Sequence, residues 1–96
     1  MPYAYVLGHI TVRDEASWAE YRAGVPATLA PWGAELVFRG SLEEVLGGRF
    51  GHPDTVVIRF PDMESLRGWF NSPAYQTLIP LRERAAEVIL LAYTAE

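Results

Sequence analysis

No cysteine occurs anywhere in the chain, which excludes disulfides, thiolate metal sites and a cysteine nucleophile. That absence fits a cytoplasmic protein. Histidine is scarce, with two residues. His9 and His52 have no ligand spacing between them, and a metal site needs several converging ligands, so no metal is expected. Clustered positive charge is missing as well. The net charge is -4 with the acidic residues scattered, which argues against a nucleic-acid partner. No apolar run approaches the ~20 residues of a membrane span. Residues 1–12 have no basic start and turn polar by His9, so they do not read as a signal peptide. No Ser-His-Asp set or nucleophile-elbow glycines can be read. Gly47-Gly48 lacks the following lysine and helix of a phosphate cradle. Glu43 and Glu44 are adjacent and would point to opposite faces of a strand, the wrong geometry for a shared acid–base site. No cofactor is implied by any motif.

What is present points to one small α+β domain over residues 1–96. At 96 residues, roughly 60–65% of the unfolded surface is buried on folding, so the core is thin. Yet 50% of the residues are hydrophobic and 12% are aromatic. That excess suggests apolar surface left for a partner subunit or a ligand.

Residues 3–12 alternate as a strand. Tyr3, Tyr5, Leu7, His9 and Thr11 share one face, and Ala4, Val6, Gly8, Ile10 and Val12 the other. Both faces are largely apolar, so both should be covered. Asp14 suits a helix N-cap, and Trp18, Tyr21, Val25 and Thr28/Leu29 follow at helical spacing. Pro26 should kink that helix or restart it near Gly24-Val25. Residues 35–39 form a second strand, Gly40-Ser41 a turn or bulge, and residues 42–46 an extension or a fold-back. Residues 47–53 make an exposed loop, and residues 55–60 the clearest strand. Asp62 caps the next helix, with Leu66, Trp69 and Phe70 on its buried stripe. Asn71 can end it in the left-handed conformation. Ser72 and Pro73 then supply an N-cap and an N1 residue, so a new helix starts at once. Pro80 should bend that helix in its second turn. Residues 88–93 complete the pattern as an apolar strand.

The order strand, helix, strand, strand, helix pair, strand is the ferredoxin-like pattern: an antiparallel sheet with helices on one face. The chain's own elements leave the other face bare. Tyr3, Tyr5 and Leu7 cannot face water cheaply, since burying such a side chain is worth roughly 1.5–3 kcal/mol. A second copy covering that face, and hence a homodimer, is the economical solution.

The chain also resembles the domain-of-unknown-function family 1330, within the dimeric α+β barrel superfamily. The likeness lies in Tyr21 with Pro26-Ala27, Gly33-Ala34-Glu35, Val37-Phe38-Arg39-Gly40, residues 56–61, residues 69–76 (Trp-Phe-Asn-Ser-Pro-Ala-Tyr-Gln) and Leu81-Arg82. It spans nearly the whole chain. It implies the fold and says little about activity. Relatives with this fold include cofactor-independent monooxygenases of aromatic polyketides, lactone isomerases, haem-degrading enzymes and non-catalytic ligand-sensing domains, and a shared fold does not transfer a reaction.

Candidate site residues follow from chemistry. His9 can serve as a general base near neutral pH, or sit hydrogen-bonded in a dimer interface. Arg39 can hold a carboxylate or enolate oxygen with its planar fork, or form an ion pair with a carboxylate such as Glu43 or Glu87; the resemblance places an arginine at this point of its motif. Arg59 suits the ion pair better. Asn71 and Ser72 can offer an amide and a hydroxyl to a substrate, although helix punctuation explains both. Tyr75 can orient a ligand through its hydroxyl or pack in the core. Trp18, Tyr21, Trp69 and Phe70 lie on inward stripes, where core packing is the commoner role, and with Tyr75 they can line a flat aromatic slot; Arg82 is a further substrate-binding candidate. One reading is a small-molecule enzyme in which His9 and Arg39 meet in a pocket between sheet and helices, acting on a hydrophobic, enolisable compound. The other is a non-catalytic module that binds a metabolite or a partner in the same slot.

Overall fold

The computed structural model describes residues 2–96. Its frame is a four-stranded sheet of β1 (Ala4–Val12), β2 (Glu35–Ser41), β3 (Asp54–Phe60) and β4 (Ala86–Thr94), ordered β2-β3-β1-β4. Every pairing is antiparallel. The central strand β1 sets Gly8 opposite both Val56 and Leu90, and His9 opposite both Thr55 and Ile89. Directly paired residues share a face, so the alternation in β1 carries across the sheet. Ala4, Val6 and Ile10 are buried beneath the helices, while Tyr5, Leu7 and His9 between them are not. This is the ferredoxin-like arrangement the element order predicted.

The helices α1 (Glu15–Leu29), α2 (Met63–Asn71), α3 (Pro73–Gln76) and α4 (Ile79–Ala85) form one layer. Asp14 caps α1 through the Ala16 and Ser17 amides, at 3.1 and 3.2 Å. Asp62 caps α2 through the Ser65 amide at 2.7 Å. In each case a carboxylate satisfies donors that the first helical turn leaves open. Both aspartates are held below the usual carboxylate range, chiefly by these backbone hydrogen bonds. A short 3-10 turn (Ala30–Trp32) follows α1, and Gly33 closes it at φ 66°, a left-handed position that suits glycine.

Five local expectations are corrected. Helix α1 does not restart near Gly24-Val25 but runs on through Pro26; the proline removes the amide that would have bonded the Arg22 carbonyl. The irregularity in β2 falls between Leu36 and Phe38, and Gly40-Ser41 stays in the strand. Asn71 does not turn left-handed, since among the described residues only glycines have positive φ; its side chain instead donates to the Arg67 carbonyl at 2.9 Å. Pro80 lies in the first turn of α4 and opens that helix instead of bending an existing one, since its missing amide costs nothing there. Residues 42–46 neither extend β2 nor fold back as a strand.

The helix-facing core gathers Val6, Ile58, Phe60, Leu66, Trp69 and Tyr75. The opposite sheet face is open. Tyr3, Phe38, Ile89, Leu91 and Tyr93 are all exposed large apolar residues, joined there by Tyr5, Leu7 and His9 of β1. Among the described residues no helix is long and apolar enough to cross a membrane.

Candidate functional site

Between α1 and the sheet lies a cavity of about 650 Å³, within the usual range for small-molecule sites. Its floor is the helix-facing row of the sheet: Val6, Gly8, Ile10, Leu36, Val56, Ile58, Val88 and Leu90. Its roof is one side of α1, from Trp18 through Tyr21, Arg22 and Val25 to Leu29. Gly8 is needed at the centre of the floor. A Cβ there would fall 2.9 Å from Val56 Cγ1 and 3.2 Å from Leu90 Cδ2.

One wall is a buried aromatic and hydroxyl network. Tyr21 and Tyr75 share a hydrogen bond at 2.8 Å, and Arg82 Nη1 donates to the Tyr75 hydroxyl at 2.9 Å. Trp69 Nε1 donates to Thr28 Oγ1 at 2.9 Å, and Thr28 Oγ1 donates in turn to the Val25 carbonyl at 2.7 Å. Trp69 packs on Tyr75 with ring centroids 4.3 Å apart, and Trp18 stacks on Tyr21 at 5.1 Å. Burial, the adjacent Tyr75 and the hydrogen bond to it all push the Tyr21 hydroxyl well above the ordinary tyrosine range. It stays neutral in the folded protein at any ordinary pH.

The polar edge of the cavity is cationic. Arg22 from α1 and Arg39 from β2 both line it, and both also line an adjoining recess of about 290 Å³. Arg39 is held below the usual guanidinium range, first by partial burial and then by the nearby Arg22 charge. Among the described residues neither forms an ion pair; the one found joins Arg59 to Glu35 on the open face.

The expected site residues therefore divide. Trp18, Tyr21, Trp69 and Arg39 do line the cavity. Tyr75 lies behind the wall, fully buried, with Arg82 as its donor. Asn71 and Ser72 serve the backbone: the Ser72 hydroxyl donates to the Trp69 carbonyl at 2.7 Å and accepts from the Tyr75 amide at 3.3 Å. His9 is on the other side of the sheet. Its Nδ1 meets Thr55 Oγ1 at 3.1 Å, and its ring stands edge-on to Phe50 at 4.9 Å. His52 is nearby, bonded to Thr11 Oγ1 at 2.9 Å. The single pocket expected to hold both His9 and Arg39 is thus not formed, because residues 9 and 39 fall on opposite faces in the register of the sheet. Sequence reasoning missed Arg22 and Gly8. Arg22 was in reach, being four residues after Trp18 on the same helix face. Among the described residues no group of three or more His, Cys, Asp or Glu could hold a metal.

Residues 3–94 match the family described as a domain of unknown function, DUF1330. The chain belongs to that family. No curated protein matches it in sequence. Solved structures share its fold at low identity, three of them as follows. The cofactor-independent oxygenase SnoaB from Streptomyces nogalater is 17% identical, with 100% of this chain and 95% of that one covered at a TM-score of 0.69. A hydroxynitrile lyase from Passiflora edulis is 14% identical, with 99% and 94% covered at 0.76. A dimeric ferredoxin-like protein of unknown function from Jannaschia sp. CCS1 is 14% identical, with 97% and 99% covered at 0.69. The DUF1330 chain thus has a fold that carries both enzymes and proteins of unknown role, and the fold does not choose between them.

Proposed function

We propose that this DUF1330 protein is a homodimer, joined through the open faces of two sheets, that holds one small apolar molecule per subunit in the cavity under α1. The single observation that carries the binding role is the chemistry of the lining. Most of its residues are aliphatic or aromatic, and its only ionisable side chains are Tyr21, Arg22 and Arg39. Such a lining favours apolar molecules and supplies few polar anchors. It contains no side chain that takes up a proton near neutral pH, so binding is a better reading than acid–base turnover.

The homodimer is supported by the open face. Tyr3, Phe38 and Tyr93 there are each about half exposed, at 49, 53 and 49%. Apolar area of this kind gains about 25 cal/mol per Å² when removed from water. A two-fold axis would set the same patch against itself. The Jannaschia protein of like fold is described as dimeric. His9, Thr55 and Phe50 would then belong to the seam, where His9 acts by packing and hydrogen bonding.

Native mass spectrometry of gently purified protein tests both halves. A dimer carrying one small molecule per subunit is the expected species. A stable monomer would refute the seam. A dimer that comes off empty and binds no apolar probe would refute the cavity's role. Turnover that survives in His9→Ala but stops when the cavity is filled would restore an enzymatic reading centred on Tyr21 and Arg39.

A further inference from the structure

The two arginines at the cavity edge form no ion pair among the described residues. Neither Arg22 nor Arg39 is bonded to a carboxylate among the described residues, whereas Arg59, the other arginine of the sheet, is paired with Glu35 and lies over the Tyr3 ring at 4.6 Å. Two carboxylates, Glu15 and Asp54, share the adjoining recess with both arginines but do not line the main cavity. Asp54 is already the acceptor for Ser41 Oγ at 3.3 Å. Two guanidiniums that feel each other's charge, with no carboxylate in the main cavity and no ion pair to either among the described residues, raise the local potential at one end of an otherwise apolar chamber. The partial desolvation of Arg39 strengthens any contact it makes with an anion.

We infer that the ligand is an amphipathic organic anion, whose apolar body occupies the chamber under α1 and whose carboxylate sits between Arg22 and Arg39. The inference rests on the cavity-binding reading above and adds the ligand's charge to it. A guanidinium presents parallel N–H donors that match the two oxygens of a carboxylate. The apolar floor around Gly8, Val56 and Leu90 has no such donors and takes the rest of the molecule. The arrangement also explains why the cations come from two elements. Arg22 is on α1 and Arg39 is on the edge strand β2, so a bound carboxylate links roof to floor.

The test uses two probes with the same tail, decanoate and decan-1-ol, titrated into the full-length protein and followed by calorimetry and by the fluorescence of Trp18 and Trp69. Decanoate should bind about tenfold tighter than decanol, the gain of a partly exposed charge-assisted contact, and the gap should narrow as salt is raised. Arg22→Gln and Arg39→Gln should each shrink the preference, and the double variant should bind both probes alike. Because decanol affinity should persist in all of them, it reports that each variant is folded with its chamber intact. Equal binding of the two probes by the unaltered protein would overturn the inference and leave the cavity reading standing. A preference that survives in the double variant would do the same. Binding of neither probe would sink both readings together.

Discussion

Removing one oxygen atom from Tyr75 should destabilise the protein more than removing the matching atom from Tyr21. The Tyr75 hydroxyl is the middle member of the network, bonded to Tyr21 at 2.8 Å and to Arg82 at 2.9 Å. Tyr75→Phe keeps the ring on Trp69 but leaves the Tyr21 hydroxyl without its partner. Tyr21 is only 8% exposed, so water replaces that bond poorly. An orphaned buried hydroxyl costs about 1–3 kcal/mol. Arg82 is only half-buried and recovers its lost acceptor from water. Tyr21→Phe, by contrast, leaves the Tyr75 hydroxyl still accepting from Arg82. That change should cost about 0.5–1.5 kcal/mol, the ordinary value of one hydrogen bond. The double variant strips both hydroxyls and orphans neither, so its cost should fall below the sum of the two singles. Urea denaturation at one fixed protein concentration measures all three, since the apparent stability of the proposed dimer would depend on concentration. In thermal melts the expected shift is about 4–8 °C per kcal/mol for a domain of this size. A Tyr75→Phe variant no less stable than Tyr21→Phe, or strictly additive costs, would refute the claim that the three groups act as one network.

Two further outcomes follow from the same geometry. Leu91→Asp places a carboxylate on the open face, and in a two-fold seam it appears twice. At about 3 kcal/mol for each unpaired buried charge, self-association should weaken by about ten-thousand-fold. Sedimentation across a dilution series would read this, with Arg67→Asp on the exposed side of α2 as a control that should leave the dimer intact; a Leu91→Asp protein that stays dimeric places the seam elsewhere. The raised Tyr21 hydroxyl makes stability fall at alkaline pH. Above the ordinary value of 10.0 the unfolded chain gives up this proton while the folded chain keeps it, so the unfolded state gains with rising pH. Below that value the contribution is fully present. Alkaline unfolding of Tyr21→Phe should therefore be less steep in pH than that of the unaltered protein, and equal slopes would show that Tyr21 is not the group responsible.

Periodicity in the sequence carried the fold because the sheet asks for period two and α1 for period 3.6. The two faces of β1 were legible as Tyr3, Tyr5, Leu7, His9 and Thr11 against Ala4, Val6, Gly8, Ile10 and Val12, and the structure keeps that division. The caps at Asp14, Asp62 and Ser72 were legible too, since each rests on contacts within three residues. The relation between distant strands was not. Whether residue 39 shares a face with residue 9 depends on the irregularity between Leu36 and Phe38, and one such slip moves every following side chain to the other face. Local pattern does not encode that slip, so His9 and Arg39 were expected together and are found apart. Tyr75 failed differently. Nothing local told a hydroxyl aimed at a ligand from one aimed at Tyr21 and Arg82, which are 54 and 7 residues away in sequence.

The chamber itself is written into side-chain size. Where α1 crosses the sheet it presents Ala19 and Ala23 beside the larger Trp18 and Tyr21, Ala30 follows in the 3-10 turn, and the central strand opposite presents Gly8. Small residues on both facing surfaces leave space that the flanking aromatics hold open. If that space were sealed and dry, a penalty of ~24 cal/mol per Å³ over about 650 Å³ would amount to about 15 kcal/mol. That equals the whole stability of a well-folded domain. The chamber is therefore not a packing defect that the fold absorbs. It is sustained by access to its surroundings, open to water or to a ligand, and on the reading proposed above Arg22 and Arg39 at its edge would favour anionic ligands.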